Sequence, residues 1–90
     1  MLTRVVHVEP RGGYRLFVQF SDGTEGERDF SQMVTSQGQM IQPLKDPEYF
    51  ARVFLDYGAP TWPNGFDMAP DALHEEMRQA GELSRSDAPE

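Results

Sequence analysis

Few residues of this chain have the types and spacing needed for metal binding or acid–base chemistry. Its two histidines are His7 and His74, and the segment 74–78, His-Glu-Glu-Met-Arg, is similar to the start of a zinc-protease helix. That motif needs a second histidine four residues after the first, and Arg78 occupies this position. We therefore expect His74 to be a surface histidine on a helix and His7 to be an edge or half-buried residue on a strand.

Three carboxylates, Asp67, Asp71 and Glu75, are spaced by four residues and would line one side of a helix. Two carboxylates can act as general acid and base, and their oxygens also bind hard cations. Acidic residues near a helix N-terminus are, however, also favoured by the helix dipole and improve solubility. We favour this second interpretation and keep a metal-dependent or enzymatic domain using Asp67, Asp71 and a histidine as an alternative.

Other classes of catalytic site lack the residues that they require. The absence of cysteine excludes thiolate nucleophiles, disulfides and thiolate metal sites. Ser21 and Ser31 adjoin predicted turns, and no Gly-x-Ser-x-Gly motif is present. Lys45, the only lysine, is next to Asp46, which favours its charged form. We expect a protein that is not an enzyme and that has neither a cofactor nor a bound metal.

Aromatic side chains are concentrated between residues 50 and 66, in a stretch rich in turns. Each would pack well in a core, but together they exceed what so small a core is expected to hold. Exposed aromatic side chains are good anchors for a protein partner. The sequence therefore predicts a partner-binding site that contains Trp62, Asn64 and Phe66, with Asp67 and Asp71 available to basic side chains of the partner.

The clearest structural pattern is a β-hairpin. In residues 14–20 one face is apolar, and the other carries Arg15, Phe17 and Gln19. Ser-Asp-Gly follows, and residues 24–30 can return antiparallel. A two-residue loop would place three carboxylates on the apolar face, because a shift of one residue reverses every side chain. A three-residue loop pairs Leu16 with Arg28 and allows Gly23 to adopt a left-handed conformation in a bulge. We predict this second register.

The chain as a whole predicts one α+β domain of residues 1–81, a small antiparallel β-meander with two or three short helices. Asp46 should cap a helix starting at Pro47, and a last helix should start near Pro70 and stop at Gly81. The other predicted elements are strands at 5–9, 53–57 and 61–62, a turn at 58–60 and one helical turn around 32–34. Residues 82–90 should form a disordered acidic tail.

The charge balance disfavours some partners. Fifteen carboxylates against eight lysines and arginines give a net charge of −7, which repels nucleic-acid phosphates and suits a small basic protein. A homo-oligomer could also cover apolar surface that a domain of this size leaves exposed. No signal peptide or membrane-spanning run is evident, so we expect a cytoplasmic protein that does not contact membranes.

Four ordered segments carry a family resemblance. They are Phe-Ser-Asp-Gly at 20–23, Asp-Phe at 29–30, the run 43–50, and the run 62–73 that contains Trp-Pro-Asn-Gly-Phe-Asp. From about Val5 to about Leu73 the chain resembles the bacterial family known as domain of unknown function 2442. The resemblance implies a small α+β domain with a β-meander and brings no known catalytic site.

Members of that family are often encoded beside another small protein, in an arrangement similar to toxin–antitoxin pairs. Some members carry an added C-terminal helix-turn-helix, whereas here a short acidic tail follows Gly81. We therefore expect a protein-binding module, antitoxin-like in a two-protein system. The alternatives are the metal-dependent or enzymatic domain described above and a transcription-related accessory protein associated with nucleic acid.

Overall fold

The computed structural model describes residues 3–85, which form an antiparallel sheet covered by short helices. The sheet has the order β1-β2-β3-β6. Its strands are β1 (Val5–Pro10), β2 (Arg15–Phe20), β3 (Thr24–Asp29) and β6 (Ser84–Arg85). The predicted α+β class is confirmed.

The central hairpin has the predicted register. Leu16 lies opposite Arg28, and Arg15 lies opposite Asp29. Gly23 has a φ of 91°, which is the left-handed conformation that the three-residue loop requires. The alternation of side chains therefore buries Leu16, Val18 and Phe20 on the inner face and leaves charged residues on the outer face.

The segment after β3 contains the helices and a second, smaller sheet. The Asp46 carboxylate accepts a hydrogen bond from the Glu48 backbone N–H at 3.0 Å, which confirms the predicted cap of the second helix. In chain order these elements are α1 (Ser31–Val34), a 3-10 turn (Gln42–Lys45), α2 (Pro47–Phe50), β4 (Phe54–Asp56), β5 (Ala59–Thr61) and α3 (Pro70–Gln79).

The turn between β4 and β5 lies one residue earlier than predicted. Its two central residues are Tyr57 and Gly58, with φ of 52° and 81°, and Asp56 pairs with Ala59 across the turn. Two positive φ values in a two-residue loop are typical of a type I′ turn, whose twist matches that of the flanking strands. Pro60 consequently lies inside β5, where an edge strand tolerates its missing N–H.

The core lies under the inner face of the sheet and is completed by side chains of α1, the 3-10 turn, α2, Trp62 and α3. Leu73 and Met77 of α3 are buried, one helical turn apart, whereas Ala80 at its end is exposed. The largest completely buried side chains are Trp62 and Phe50, whose ring centroids are 5.5 Å apart. The position of α3 is thus set by two apolar side chains one helical turn apart.

The prediction that residues 82–90 form a disordered tail is wrong for residues 82–85, and residues 86–90 lie outside the described part of the chain. Ser84 and Arg85 pair with β3, and the Glu82 carboxylate accepts a hydrogen bond from Arg28 at 2.8 Å. A Cβ atom at Gly26 would lie 1.9 Å from the Glu82 carbonyl oxygen, so only glycine allows this approach. The ordered domain therefore extends beyond Gly81.

Candidate functional site

Trp62, the central residue of the predicted site, belongs to the core. Its side chain is completely buried, and the indole N–H donates a hydrogen bond to the Phe50 carbonyl oxygen at 2.8 Å. Its ring also packs against Phe66, with centroids 5.7 Å apart. The indole finds its apolar contacts and its hydrogen-bond acceptor inside the domain, so the side chain is not exposed at the surface. The assignment of Trp62 to a binding surface is therefore wrong.

Asn64 organises the loop that follows Trp62. Its side-chain oxygen accepts a hydrogen bond from the Phe66 backbone N–H at 3.1 Å, and its side-chain N–H₂ donates to the Met40 carbonyl oxygen at 3.0 Å. The turn is closed by a bond from the Gly65 N–H to the Trp62 carbonyl oxygen, with a φ of 92° at Gly65. These bonds hold Phe66 half-buried against the core, which makes the loop a structural element.

The two carboxylates of the predicted site have different surroundings. Asp67 is exposed and forms a backbone bridge with Thr61. Asp71, in the first turn of α3, accepts a hydrogen bond from the Thr3 backbone N–H at 3.0 Å. Both remain at the surface, but they are not joined to a histidine.

The histidines bind carboxylates at two separate places. His74 lies 2.9 Å from Asp22 and packs edge-on against Phe20, so it is half-buried and not the freely solvated residue that the sequence predicts. His7 lies 3.4 Å from Glu9. Within residues 3–85, no group of three or more histidine or carboxylate side chains is arranged to hold a metal ion.

A surface cleft between α1 and α3 has the composition of a binding site. It has a volume of about 470 Å³ and opens to solvent along one side of α3. Phe30 and Leu73 form a buried floor, and the flexible side chains of Met33 and Met68 flank it. Ala72 also lines the cleft and contributes only a methyl group. Methionines that line an apolar surface adapt readily to different partners.

The rim of the cleft is polar, and Arg28, the one arginine in its described lining, is neutralised. Arg28 lies 2.8 Å from Glu82 and 3.5 Å from Glu76. The Ser31 backbone N–H donates to the Asp29 carboxylate, which lowers the pKa of Asp29 below its ordinary value and keeps this rim residue ionised. The cleft therefore combines an apolar floor with a rim that has an excess of negative charge.

The outer face of the sheet carries arginines that are matched by carboxylates. Arg11 lies 3.7 Å from Glu9 and 3.8 Å from Glu27, and its guanidinium sits over the ring of Phe17 at 4.6 Å. Arg15 lies 3.7 Å from the same Glu27. These arginines do not form the unopposed basic patch that attracts nucleic-acid phosphates.

The cleft and the exposed Tyr57 were not predicted as site features. The methionines of the cleft lie in segments of no clear periodicity. Nothing in the local sequence therefore indicated that they line the same cleft beside α3. For Tyr57 a signal existed, since Tyr-Gly between two β-like runs is a possible two-residue hairpin turn. The Gly-Ala-Pro that follows was the stronger turn signal and led to the wrong placement.

The architecture defines the chain as a small α+β domain built on an antiparallel hairpin sheet. The model of the family described as "Protein of unknown function (DUF2442)" matches residues 5–79, and the chain belongs to this family. No curated protein matches the chain. Among the described residues, no helix is long and apolar enough to cross a bilayer.

One similar solved structure is that of a candidate DNA-binding protein, NE0471, from Nitrosomonas europaea. It is 27% identical to this chain, with a TM-score of 0.72, over 90% of this chain and 53% of that protein. This chain thus spans about half the length of its structural relative.

Proposed function

We propose that this domain is a non-enzymatic protein-binding module that holds a segment of a basic protein in the cleft between α1 and α3. The observation that carries the proposal is the solvent-open cleft in which the half-buried methionines Met33 and Met68 flank the buried side chains of Phe30 and Leu73. Covering the exposed apolar surface of this cleft favours association, because it removes that surface from water.

The charge at the rim supports a basic partner. Asp29 and Glu76 stand at the edge of the cleft, and Arg28 is paired internally. The whole chain carries a net charge of −7, which adds long-range attraction for a basic protein and raises its association rate. The partner of this proposal is the small basic protein of an antitoxin-like two-protein system.

The test is co-purification of a tagged chain from its native host, with a variant that fills the cleft. Ala72 is exposed and lines the cleft, so Ala72→Arg places a bulky side chain there without replacing a buried one. Ala51→Arg is the matched control, because Ala51 is also exposed but lies outside the cleft and the substitution adds the same charge. We expect one small basic protein in stoichiometric amount with the native chain and with Ala51→Arg.

The complex should then be rebuilt from the two purified proteins. We expect Ala72→Arg to weaken binding at least about tenfold, and we expect high salt to weaken the native complex as rim charges are screened. Equal binding by Ala72→Arg and Ala51→Arg would exclude the cleft as the site. Recovery of a partner-free homo-oligomer would instead contradict the two-protein proposal.

A nucleic-acid-associated accessory role is the second candidate, and it rests on the name of the N. europaea protein. The acidic net charge and the paired arginines of the outer sheet face argue against it for this domain alone. Fluorescence anisotropy with labelled duplex DNA at low salt provides the test. Saturable binding that weakens steeply with salt would favour this role over the protein-binding module.

A further inference from the structure

The tip of the β4–β5 hairpin presents an aromatic side chain to solvent at a conformational cost. Tyr57 is 97% exposed, and its φ of 52° lies in the left-handed region that residues with a Cβ seldom adopt. The first position of a type I′ turn is usually Asn, Asp or Gly, which adopt this conformation with less strain. A bulky exposed ring at this position adds nothing to the packing of the domain, so its presence calls for a role outside the fold.

The turn is held firmly against the main sheet. The Val5 N–H donates a hydrogen bond to the Gly58 carbonyl oxygen at 2.9 Å. The aliphatic part of the Arg4 side chain packs so closely on Gly58 that an added Cβ would lie 2.8 Å from the Arg4 Cβ. The backbone that carries Tyr57 is therefore fixed before any partner arrives, which reduces the entropy lost on binding.

An open groove of about 860 Å³ lies beside the tyrosine, on the opposite flank of α3 from the cleft. The groove contains the carboxylates of Asp22 and Asp71, and Asp56 precedes the tyrosine in the turn. Hydrogen bonds from Thr24 lower the pKa of Asp22 below its ordinary value, so Asp22 is ionised at neutral pH. Only Arg4 contributes a positive charge to the described lining of this groove.

We propose that Tyr57 and this groove form a second binding surface, for an arginine or lysine side chain of a protein partner. The face of a tyrosine ring attracts a cation, and nearby carboxylates strengthen the attraction and supply hydrogen-bond acceptors. Within residues 3–85, Asp71 accepts a hydrogen bond from Thr3 at Oδ1, and its Oδ2 can be used by a guanidinium only if the partner reaches the groove. A nucleic-acid backbone does not fit the surface, because its phosphates would face three carboxylates.

The test is NMR titration of the ¹⁵N-labelled chain with a short peptide in which arginine alternates with serine. The control peptide replaces each arginine by citrulline, which keeps the shape and removes the charge. We expect saturable shifts confined to residues 56–59 and to Asp22 and Asp71, with the arginine peptide alone. Shifts centred on the outer sheet face or the cleft, or equal binding of both peptides, would overturn the proposal.

Variants at the turn separate binding from folding. Tyr57→Asn should weaken peptide binding at least about fivefold while the domain stays folded, because asparagine suits the turn. Tyr57→Phe keeps the ring and should bind nearly as well as the native chain. Undiminished binding by Tyr57→Asn would remove the tyrosine from the site. Ala51→Arg, which lies outside both the cleft and the groove, should leave this binding unchanged. Because the peptide titration uses no cleft variant, a failure here is distinguishable from a failure of the cleft.

Discussion

Two turns within one short stretch of this chain place aromatic residues in opposite environments. In the first, Tyr57 occupies the turn itself and is almost completely exposed. In the second, Trp62 precedes a Pro-Asn-Gly turn and is completely buried. Both turns use a glycine with positive φ, Gly58 and Gly65, so their local chemistry is similar.

The difference in burial between Trp62 and Tyr57 follows from the contacts that each ring can make. Trp62 packs on Phe50 and Phe66, and its N–H finds the Phe50 carbonyl oxygen, so burial leaves no polar group unsatisfied. Tyr57 projects from the outermost point of a hairpin, where the domain has no second layer to cover it. A concentration of aromatic residues therefore indicates neither a core nor an interface until the positions of the turns are known.

Removal of the buried ring should have the largest effect. Trp62→Ala removes the largest completely buried side chain, and we expect a loss of about 3–5 kcal/mol in the free energy of unfolding. A domain of this size has a total stability on the order of 5 kcal/mol, so the variant should be largely unfolded. Urea denaturation followed by far-UV circular dichroism measures this loss. A native-like unfolding curve would contradict the central place of Trp62 in the core.

Loss of the Asn64 side chain should have an intermediate effect. Asn64→Ala removes the bonds to the Phe66 N–H and the Met40 carbonyl oxygen, and we expect a loss of about 1–2 kcal/mol. Asn64→Asp is the informative companion, because it keeps the acceptor for Phe66 and loses the donor to Met40. Its stability, measured in urea, should lie between those of the native chain and Asn64→Ala. Equal losses for both variants would show that only the bond to Met40 matters.

Substitution of Tyr57 by asparagine in the exposed turn should raise the stability of the fold. Tyr57→Asn relieves the left-handed strain, and we expect a gain of about 0.5–1 kcal/mol, or a Tm higher by a few degrees. Tyr57→Val should lower the Tm, because a β-branched residue resists positive φ more strongly. Thermal unfolding of both variants checks the direction of each change in Tm. A lower Tm for Tyr57→Asn would show that the tyrosine contributes to the fold.

The Asp22 carboxylate, in the groove beside Tyr57, should make a small pH-dependent contribution to the stability of the fold. The pKa of Asp22 is lowered below 3.8 in the folded chain, chiefly by the hydrogen bond from the Thr24 hydroxyl, with His74 contributing. A carboxylate whose pKa is lower in the folded chain than in the unfolded chain stabilises the fold at pH values above its unfolded-state pKa. This contribution is lost as the pH falls through the folded-state pKa. Asp22→Asn should therefore lower the Tm slightly at neutral pH, with a difference that shrinks below about pH 4. A difference independent of pH would assign the effect to packing.

Several features of the fold followed from local sequence chemistry. The apolar face of residues 14–20 and the Ser-Asp-Gly turn together selected one hairpin register, because a shifted register would have placed carboxylates of the returning strand on that face. Asp46 and Pro47 marked the start of α2, since cap and first-turn chemistry depends on adjacent residues alone. The family resemblance rested on the same kind of short ordered segments, and the family model confirms it.

The candidate sites were harder to predict from the sequence, because they depend on contacts between distant segments. The cleft joins residues 28–36 to residues 68–76, and no periodicity within either segment reports that they meet. The polar composition after Gly81 indicated disorder, yet Glu82 finds Arg28 on β3, and Ser84 and Arg85 extend the sheet.

The sequence by itself determined the α+β class, the register of the central hairpin and the start of α2, because periodicity and turn chemistry act between neighbouring residues. Only the tertiary structure decided that Trp62 is buried, that Tyr57 is exposed and that a cleft opens beside Ala72. Burial depends on which surfaces meet after the chain has folded, and that arrangement depends on the packing of all the elements together.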